Sequence, residues 1–378
     1  MAQALIVGFV RSPFAPANRG ELKRLRADDM AAQVVRGLLD QTKLNPADIE
    51  DILLGCAFPE AEQGLNLARL VGLLAELPQS VAGTTVNRFC GSSMQSVHMA
   101  AGAIAMGAGD AFICAGVESM SRVPMAGFNP LPNPALYAAL PAAYIGMGDT
   151  AENVARKYQL SREEQDAFAV VSQQRAAAAQ AAGRFDEELV PVTFGDTTVA
   201  RDGTIRAQTT AEGLAGLGPS FSTTGTVTAG TSSPLTDGAA AVMVVSDTYA
   251  RANGLVAMAR IKSIAVAGCA PEIMGIGPVA ATRKALERAG IEVGDLGVIE
   301  LNEAFASQSL ACIRDLGLDP AKVNIDGGAI ALGHPLGATG ARITGKAAAL
   351  LKREGAQYAL ATQCIGGGQG IATVLEAI

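Results

Sequence analysis

The chain repeats itself, and this restricts its possible folds more than any other property of the sequence. Residues 34–58, VVRGLLDQTKLNPADIEDILLGCAF, lie on residues 281–305, ATRKALERAGIEVGDLGVIELNEAF, without a gap. Seven positions are identical: Arg36/Arg283, Leu39/Leu286, Asp48/Asp295, Ile52/Ile299, Leu54/Leu301, Ala57/Ala304 and Phe58/Phe305. With the offset shortened by one residue, Gly91 falls on Gly337 and Gly109 on Gly355. Each of these pairs brackets a helix-like segment that ends in glycine and feeds an apolar strand. The strand is Ala111 to Ala115 in one copy and Tyr358 to Thr362 in the other. Each copy reads helix, short strand, connection, strand, loop, helix, strand. Such alternation builds βα units on a mostly parallel sheet with buried apolar strands. Two copies therefore imply two similar α/β halves facing each other.

The stretch from about 119 to 239 matches neither copy. It holds the Pro-rich PNPALYAALPAAY, a helix over Ser161 to Ala182 that opens SREEQ with Ser161 as N-cap, and the Gly/Thr-rich FSTTGTVTAGTSSPLTDG. It reads as an inserted lobe, after which a strand over Ala239 to Val245 completes the first half. The expected division is a first half of residues 1–118 plus 239–252, an inserted loop domain of 119–238 and a second half of 253–378. A length of 378 residues suits about two domains of roughly 100–200 residues each.

Apolar residues make up 49% and charged residues 17%, too apolar and too weakly charged for disorder. A net charge of −7 argues against nucleic acid as the main partner, since neutralising phosphates needs a basic face. It leaves room for a single phosphorylated ligand held by a few local lysines and arginines. No apolar run approaches the ~18–20 residues of a membrane span. The start, MAQALIVGFVRSPF, reads as a strand (Ala4 to Val10) before a Pro turn and lacks the features of a signal peptide. The final VLEAI is not a peroxisomal address. The expectation is a soluble cytoplasmic protein. Six cysteines lie at 56, 90, 114, 269, 312 and 364, none paired as CxxC, and the only histidines are His98 and His334, so no metal site is expected.

Four stretches carry chemistry. In VNRFCGSSMQSV, residues 86–97, Cys90 stands where a strand hands over to a helix, followed only by Gly91, Ser92 and Ser93. The helix dipole and free N–H groups there should lower its pKa and favour thiolate; a packing cysteine beside a tight helix contact is the bland alternative. His98 is eight residues along the same helix, about 12 Å away by helical rise, and cannot serve that sulfur. It reads as a satisfied or surface histidine. His334, in NIDGGAIALGHPLGATGA, is held extended by Pro335 on a loop before the next helix. In the repeat, Cys90 corresponds to Leu336, so a pseudo-twofold arrangement could bring these two loops together. Cys364, in LATQCIGGGQG, follows the last apolar strand of the second half and precedes three glycines whose N–H groups could face an oxyanion. Asn302, in LNEAF just past a strand, can donate a hydrogen bond or hold a water; an Asn-containing turn is its bland alternative.

The set VNRFCGSS, VTAGTSSPLTDGAAA, LNEAF, GGAIALGHPLGATGAR and CIGGGQG resembles the thiolase family, in family order from VRSPF near residue 10 to the C-terminus. The resemblance implies a duplicated α/β fold, with two mixed five-stranded sheets in αβαβα layers and a loop domain inserted after the first half. It also implies cleavage of 3-ketoacyl-CoA by CoA, releasing acetyl-CoA, or the reverse condensation. Cys90 would be the nucleophile, and His334 with a water on Asn302 would polarise the carbonyl oxygen. Cys364 would be the second acid/base, and the N–H groups of Cys90 and Gly366 a second oxyanion hole. CoA contacts would come from Ser233 near the pantetheine arm and Arg206 near the adenine and phosphates, and Met147 would line the acyl pocket.

The family further implies a homodimer or homotetramer, with possible membership of a β-oxidation complex. There are departures. Gly146 stands where members that favour acetoacetyl-CoA often carry His, which leans towards longer chains and leaves a short-chain thiolase as the alternative. Gly218 replaces a family arginine. Ketoacyl synthases usually combine cysteine with two histidines, or with His and Asn; the one usable histidine and the CIGGG cysteine argue against that class, and retention of Cys90, His334, Cys364 and Asn302 argues against a silent CoA-binding relative.

Overall fold

The computed structural model describes residues 2–378. The first copy of the repeat begins with β1 (Ala4–Arg11) and the two-residue β2 (Ala15–Pro16). It continues through α1 (Ala27–Thr42), β3 (Asp51–Gly55), α2 (Leu67–Leu74), β4 (Ala82–Val86), α3 (Ser92–Met106) and β5 (Ala111–Ser119). A long excursion follows: α4 (Pro134–Ala139), α5 (Met147–Lys157), α6 (Arg162–Ala181), the hairpin β6 (Val192–Phe194) and β7 (Thr197–Val199), and α7 (Ala211–Ala215). The chain returns in β8 (Thr236–Ser246) and α8 (Asp247–Ala252). The second copy is β9 (Ala259–Gly268), α9 (Gly277–Ala289), β10 (Leu296–Leu301), α10 (Ala306–Leu316), α11 (Ala329–Leu332), α12 (Leu336–Glu354), β11 (Tyr358–Ile365) and β12 (Gln369–Glu376).

The strands follow the order β10-β11-β12-β9-β1-β8-β5-β3-β4. Read outward from the centre, β1-β8-β5-β3-β4 is mirrored by β9-β12-β11-β10, with β3/β5 and β10/β11 the matching parallel pairs. The two halves meet where β1 pairs β9 over only Leu5↔Arg260 and Ile6↔Ala259. The fifth strand of the second half is reduced to a single parallel bridge, Ile299↔Val323. The segment there, LGLDPAKVNIDGG, carries Pro, Asp and Gly at the positions a strand would need.

Strand alternation sorts side chains into three cores. Ile52 and Leu54 of β3 pack outward against Val35 and Leu38 of α1 and Val71 of α2. Leu53 points the other way, joining Met94 and Val97 of α3 and Ala341 and Ile343 of α12 between the two halves. A third core sets Ile299 and Leu301 of β10 against Leu286 of α9 and Ile313 of α10. The layers are therefore helix, sheet, helix, sheet, helix, as the duplicated α/β reading expects.

The central layer is packed through glycine. A Cβ built on Gly116 would lie 2.1 Å from the carbonyl oxygen of Gly337, and neither backbone can move aside. This contact seats the start of α12 on β5. Glu118, buried two residues further along β5, accepts from the N–H of Gly337 at 2.9 Å and from the N–H of Ala57 at 2.8 Å. One carboxylate thus joins the ends of β3, β5 and α12.

Arg11 is fully buried between Glu188, at 2.8 Å, and Asp202, at 2.7 Å. Lys346 of α12 reaches Glu188 and Asp326, each at 3.0 Å. This cluster pins the excursion to both copies.

Helix α6 runs Arg162–Ala181 with Ser161 capping Glu164 N–H in a full capping box, close to its expected bounds. Three boundaries shift. α3 ends at Met106 with Gly107 in the left-handed region, so Gly109 lies in the connection and not at the helix end. β8 starts at Thr236, three residues earlier than the strand expected from Ala239, because its first residues pair with β2 and with Ser119 of β5. β5 likewise runs on to Ser119.

Candidate active site

Cys90 sits just before α3. The preceding residue, Phe89, has φ +42°, a left-handed conformation seldom adopted by an aromatic residue. Local bonds hold this elbow: Asn87 Oδ1 accepts from Phe89 N–H at 2.9 Å, and Ser92 Oγ donates to the Phe89 carbonyl at 2.6 Å. The Cys90 side chain is buried with Met120 and Leu336, the latter two residues past His334. The N–H of Gly366, in the loop after β11, is near enough to the Cys90 sulfur to favour its thiolate. Its own carbonyl accepts from the Gln363 side-chain amide. The nucleophile loop of one copy is thus clasped by the last loop of the other.

Burial pushes the Cys90 thiol up to about 11, although the N–H groups of Gly366 and Cys90 itself oppose it; nearby Glu118 adds to the rise. The expectation of a depressed pKa at a helix start is corrected. Desolvation of the thiolate outweighs the partial charge of the helix terminus, so the resting group is a thiol.

His334 follows Gly333, whose φ is +95°, and its N–H donates to Thr236 Oγ1 at 3.1 Å. The ring is buried. Nδ1 lies 2.6 Å from Thr339 Oγ1, and the Thr339 hydroxyl donates its own proton to the Pro335 carbonyl at 3.0 Å. A hydroxyl has one proton, so Oγ1 accepts from Nδ1–H, and the bare lone pair is left on Nε2. Nε2 faces the Asn302 amide nitrogen at 3.4 Å. Burial, helped by Arg342, lowers the ring's pKa to about 3, so it is a neutral base.

Asn302 is buried just past β10, tied to β11 by its N–H on the Thr362 carbonyl at 3.0 Å. Its Oδ1 has no hydrogen-bond partner among the described residues, which suits a site for one ordered water. Cys364 is fully buried beside Met147, Ala304 and Phe305. Burial raises its thiol pKa well above the ordinary value, with Cys90 as the largest charge contribution. Met147 opens α5; its Sδ lies 3.5 Å from where a Cβ on Gly366 would be. Cys90, Cys364, Gly366 and Met147 are thus neighbours, and Asn302 and His334 form a second pair, two residues along the chain from Ala304 beside Cys364 and from Leu336 beside Cys90.

The other two expected residues lie around it. Ser233 is half-buried and its N–H donates to the Ala304 carbonyl at 3.0 Å, so the TSSP segment runs beside LNEAF. Arg206 is exposed, its backbone N–H on Gln173 Oε1 at 2.7 Å, which leaves the guanidinium in solvent. His98 takes no part: it is buried, with Nε2 2.8 Å from Thr373 Oγ1. Reasoning from the sequence missed Thr339, Gln363 and Glu118. The last had a signal, an acid inside the apolar run AFICAGVES.

Among the described residues, no helix is long and apolar enough to cross a membrane. Two family models match the chain: the thiolase N-terminal domain over residues 4–248 and the thiolase C-terminal domain over 255–377. The chain is 49% identical over 389 residues to a Bacillus subtilis protein named 3-ketoacyl-CoA thiolase, each covered in full. It is 50% identical over 389 residues to an Erwinia tasmaniensis protein of the same name, again over the whole of both. Among solved structures, two of human mitochondrial 3-ketoacyl-CoA thiolase, one of them in complex with CoA, superpose with a TM-score of 0.92 at 39% identity. That match covers 100% of this chain and 99% of the human one. Repeat, layers, clustered motifs and these likenesses lead to one conclusion: the chain belongs to the thiolase family.

Proposed function

We propose that this protein is a 3-ketoacyl-CoA thiolase, an acetyl-CoA C-acyltransferase that splits a 3-ketoacyl-CoA with CoA through an acyl-enzyme on Cys90. What supports the reading is that Cys90 and Cys364 both lie by the loop of Gly366, while His334 Nε2 faces Asn302 at 3.4 Å on segments that run beside each cysteine.

In the forward direction the Cys90 sulfur attacks the C3 carbonyl carbon while His334 Nε2 takes the thiol proton. With the thiol near 11 and the imidazole near 3, this transfer accompanies C–S bond formation rather than preceding it. The N–H groups of Cys90 and Gly366 hold the resulting oxyanion. The C2–C3 bond then breaks. The departing acetyl-CoA enolate oxygen is held by His334 Nε2–H and a water on Asn302, and Cys364 protonates C2. A thiol suits this exchange because its pKa lies closer to those of carbon acids and thiols than a carboxylate's does. Incoming CoA gives its proton to Cys364 and its thiolate takes the acyl group as a thioester, while the departing Cys90 sulfur recovers its proton from His334 Nε2.

The segment of residues 119–238 is proposed as the CoA-binding lobe, with Ser233 beside the pantetheine arm and Arg206 free to reach phosphate. Gly146 at the start of α5 leaves room for longer acyl chains. A homodimer or homotetramer is supported by β4, an edge strand with one side unpaired and a hollow of about 340 Å³ beside it, lined by Asp51, Thr84 and Met99.

The test is thiolysis of acetoacetyl-CoA and longer 3-ketoacyl-CoAs, followed by loss of 3-ketoacyl absorbance, with the acyl-enzyme detected by mass. Cys90→Ala should form no acyl-enzyme. Cys364→Ala should still accept an acetyl group slowly from acetyl-CoA yet fail to break or make the carbon–carbon bond. Near-normal turnover by Cys364→Ala would overturn the two-cysteine scheme.

A further inference from the structure

Among the described residues, Phe89 is the one aromatic residue held in the left-handed backbone region, at φ +42°. Such a conformation is disfavoured for a side chain of this size and persists only where surrounding bonds enforce it. Here Asn87 and Ser92 enforce it, as described above, and both bonds are local to the elbow. The ring is not used to fill the core: 39% of Phe89 remains exposed.

What the strained backbone achieves is the placement of that ring. Its Cδ2 lies 3.7 Å from the point where a Cβ on Gly366 would stand, and Met147 Sδ lies 3.5 Å from the same point. Phe89 and Met147 thus both lie against Gly366, whose N–H is near the Cys90 sulfur. On its other side the Phe89 ring leans on Phe58, centroids 5.9 Å apart and tilted by 45°. Phe58 is fixed in turn by its N–H on buried Glu118 at 3.2 Å. The ring is therefore braced and apolar, and it lies partly exposed beside Gly366 and next to Cys90 in the chain.

We infer that Phe89 is a specificity-determining residue: its ring forms the wall, opposite Met147, along which the alkyl chain of a 3-ketoacyl group lies as the acyl-enzyme forms. This rests on the 3-ketoacyl-CoA reading given above. Each additional methylene in apolar contact is worth roughly tenfold in kcat/KM, so an aromatic wall discriminates by chain length.

The experiment compares kcat/KM for acetoacetyl-CoA and 3-ketododecanoyl-CoA in the full-length protein and in Phe89→Ala, Phe89→Gly and Phe89→Leu. The expected result is a tenfold or greater fall in the long-to-short ratio for the Ala and Gly variants and a ratio within threefold of wild type for Leu. Phe89→Gly, which adopts positive φ without strain, should melt above Phe89→Ala, separating backbone relief from loss of the ring. A parallel fall for both substrates with an unchanged ratio, accompanied by slowed alkylation of Cys90 by iodoacetamide, would mean that the ring only supports the nucleophile and would overturn the inference. Absence of thiolysis by the wild-type protein would instead refute the enzymatic reading on which it depends.

Discussion

Thr339 offers the sharpest test of how the base is prepared. Replacing it with valine keeps the volume and branching of the side chain while removing one oxygen. The Pro335 carbonyl would not be orphaned, because it also accepts from the N–H groups of Ala338 and Thr339, each at 3.0 Å. The loss falls on His334: Nδ1, 2.6 Å from the hydroxyl in the native site, would be left buried with no acceptor. An unsatisfied buried donor costs about 1–3 kcal/mol. The ring can relieve that cost by moving its proton to Nε2, but a protonated Nε2 cannot take the Cys90 proton. Either way the loss appears in acylation, and kcat should fall by about 10- to 100-fold. KM for CoA should change little, since the Thr339 hydroxyl bonds His334 and the Pro335 carbonyl. Thr339→Ser keeps the hydroxyl and should recover to within about threefold. Rapid-quench measurement of acyl-enzyme formation, beside steady-state thiolysis, would separate this from a general loss of fold. A valine variant with undiminished acylation, or a serine variant as poor as valine, would refute the assignment of the proton to Nδ1.

Alkylation of Cys90 by iodoacetamide should rise about tenfold per pH unit from pH 7 to 10, since its thiol pKa is held near 11; a plateau by pH 8 would show a much more acidic thiol. His98 is held neutral by burial, with its pKa lowered to about 3, whereas the unfolded chain takes up that proton near 6.5. Stability from this group is therefore present above pH 6.5 and lost as pH falls towards 3, and His98→Gln should flatten the decline by about 1.4 kcal/mol per pH unit in urea unfolding at pH 4.5–6.5. An unchanged slope would count against the buried neutral state. Gly116→Ala should cost at least about 3 kcal/mol or prevent folding, because its Cβ would meet the Gly337 carbonyl at 2.1 Å, whereas Gly102→Ala, on the exposed face of α3 with nothing within 4 Å, should add about 0.5–1 kcal/mol. Similar effects at both sites would mean that the central layer is not as tightly packed as described.

Much of this molecule was legible because duplication leaves identities at fixed spacing, and because Cys90, His334, Cys364 and Asn302 each stand in a short, unusual sequence context. What escaped notice depended on the third dimension. Thr339 is five residues past His334, and only the turn through Pro335 into α12 brings its hydroxyl back to Nδ1. Gln363 neighbours Cys364, but its partner is the Cys90 carbonyl, which lies 273 residues away in the chain. The direction of the Cys90 shift was misjudged because a helix start is visible in sequence, whereas the completeness of burial is not. The stunted fifth strand of the second half escaped for a related reason: the repeat conserves what packs, and Val323 needs only one bridge to close that edge.

The charges hidden around Arg11 bear on the order in which the chain can become itself during synthesis. Arg11 belongs to the first strand made, Glu188 and Asp202 to the excursion, and Lys346 and Asp326 to a stretch that leaves the ribosome near the end. Arg11 alone cannot balance both Glu188 and Asp202, so an early collapse of the excursion onto the first copy would seal a carboxylate away from water without its lysine. The excursion's buried carboxylates are therefore fully matched only once α12, the last helix made, is in place.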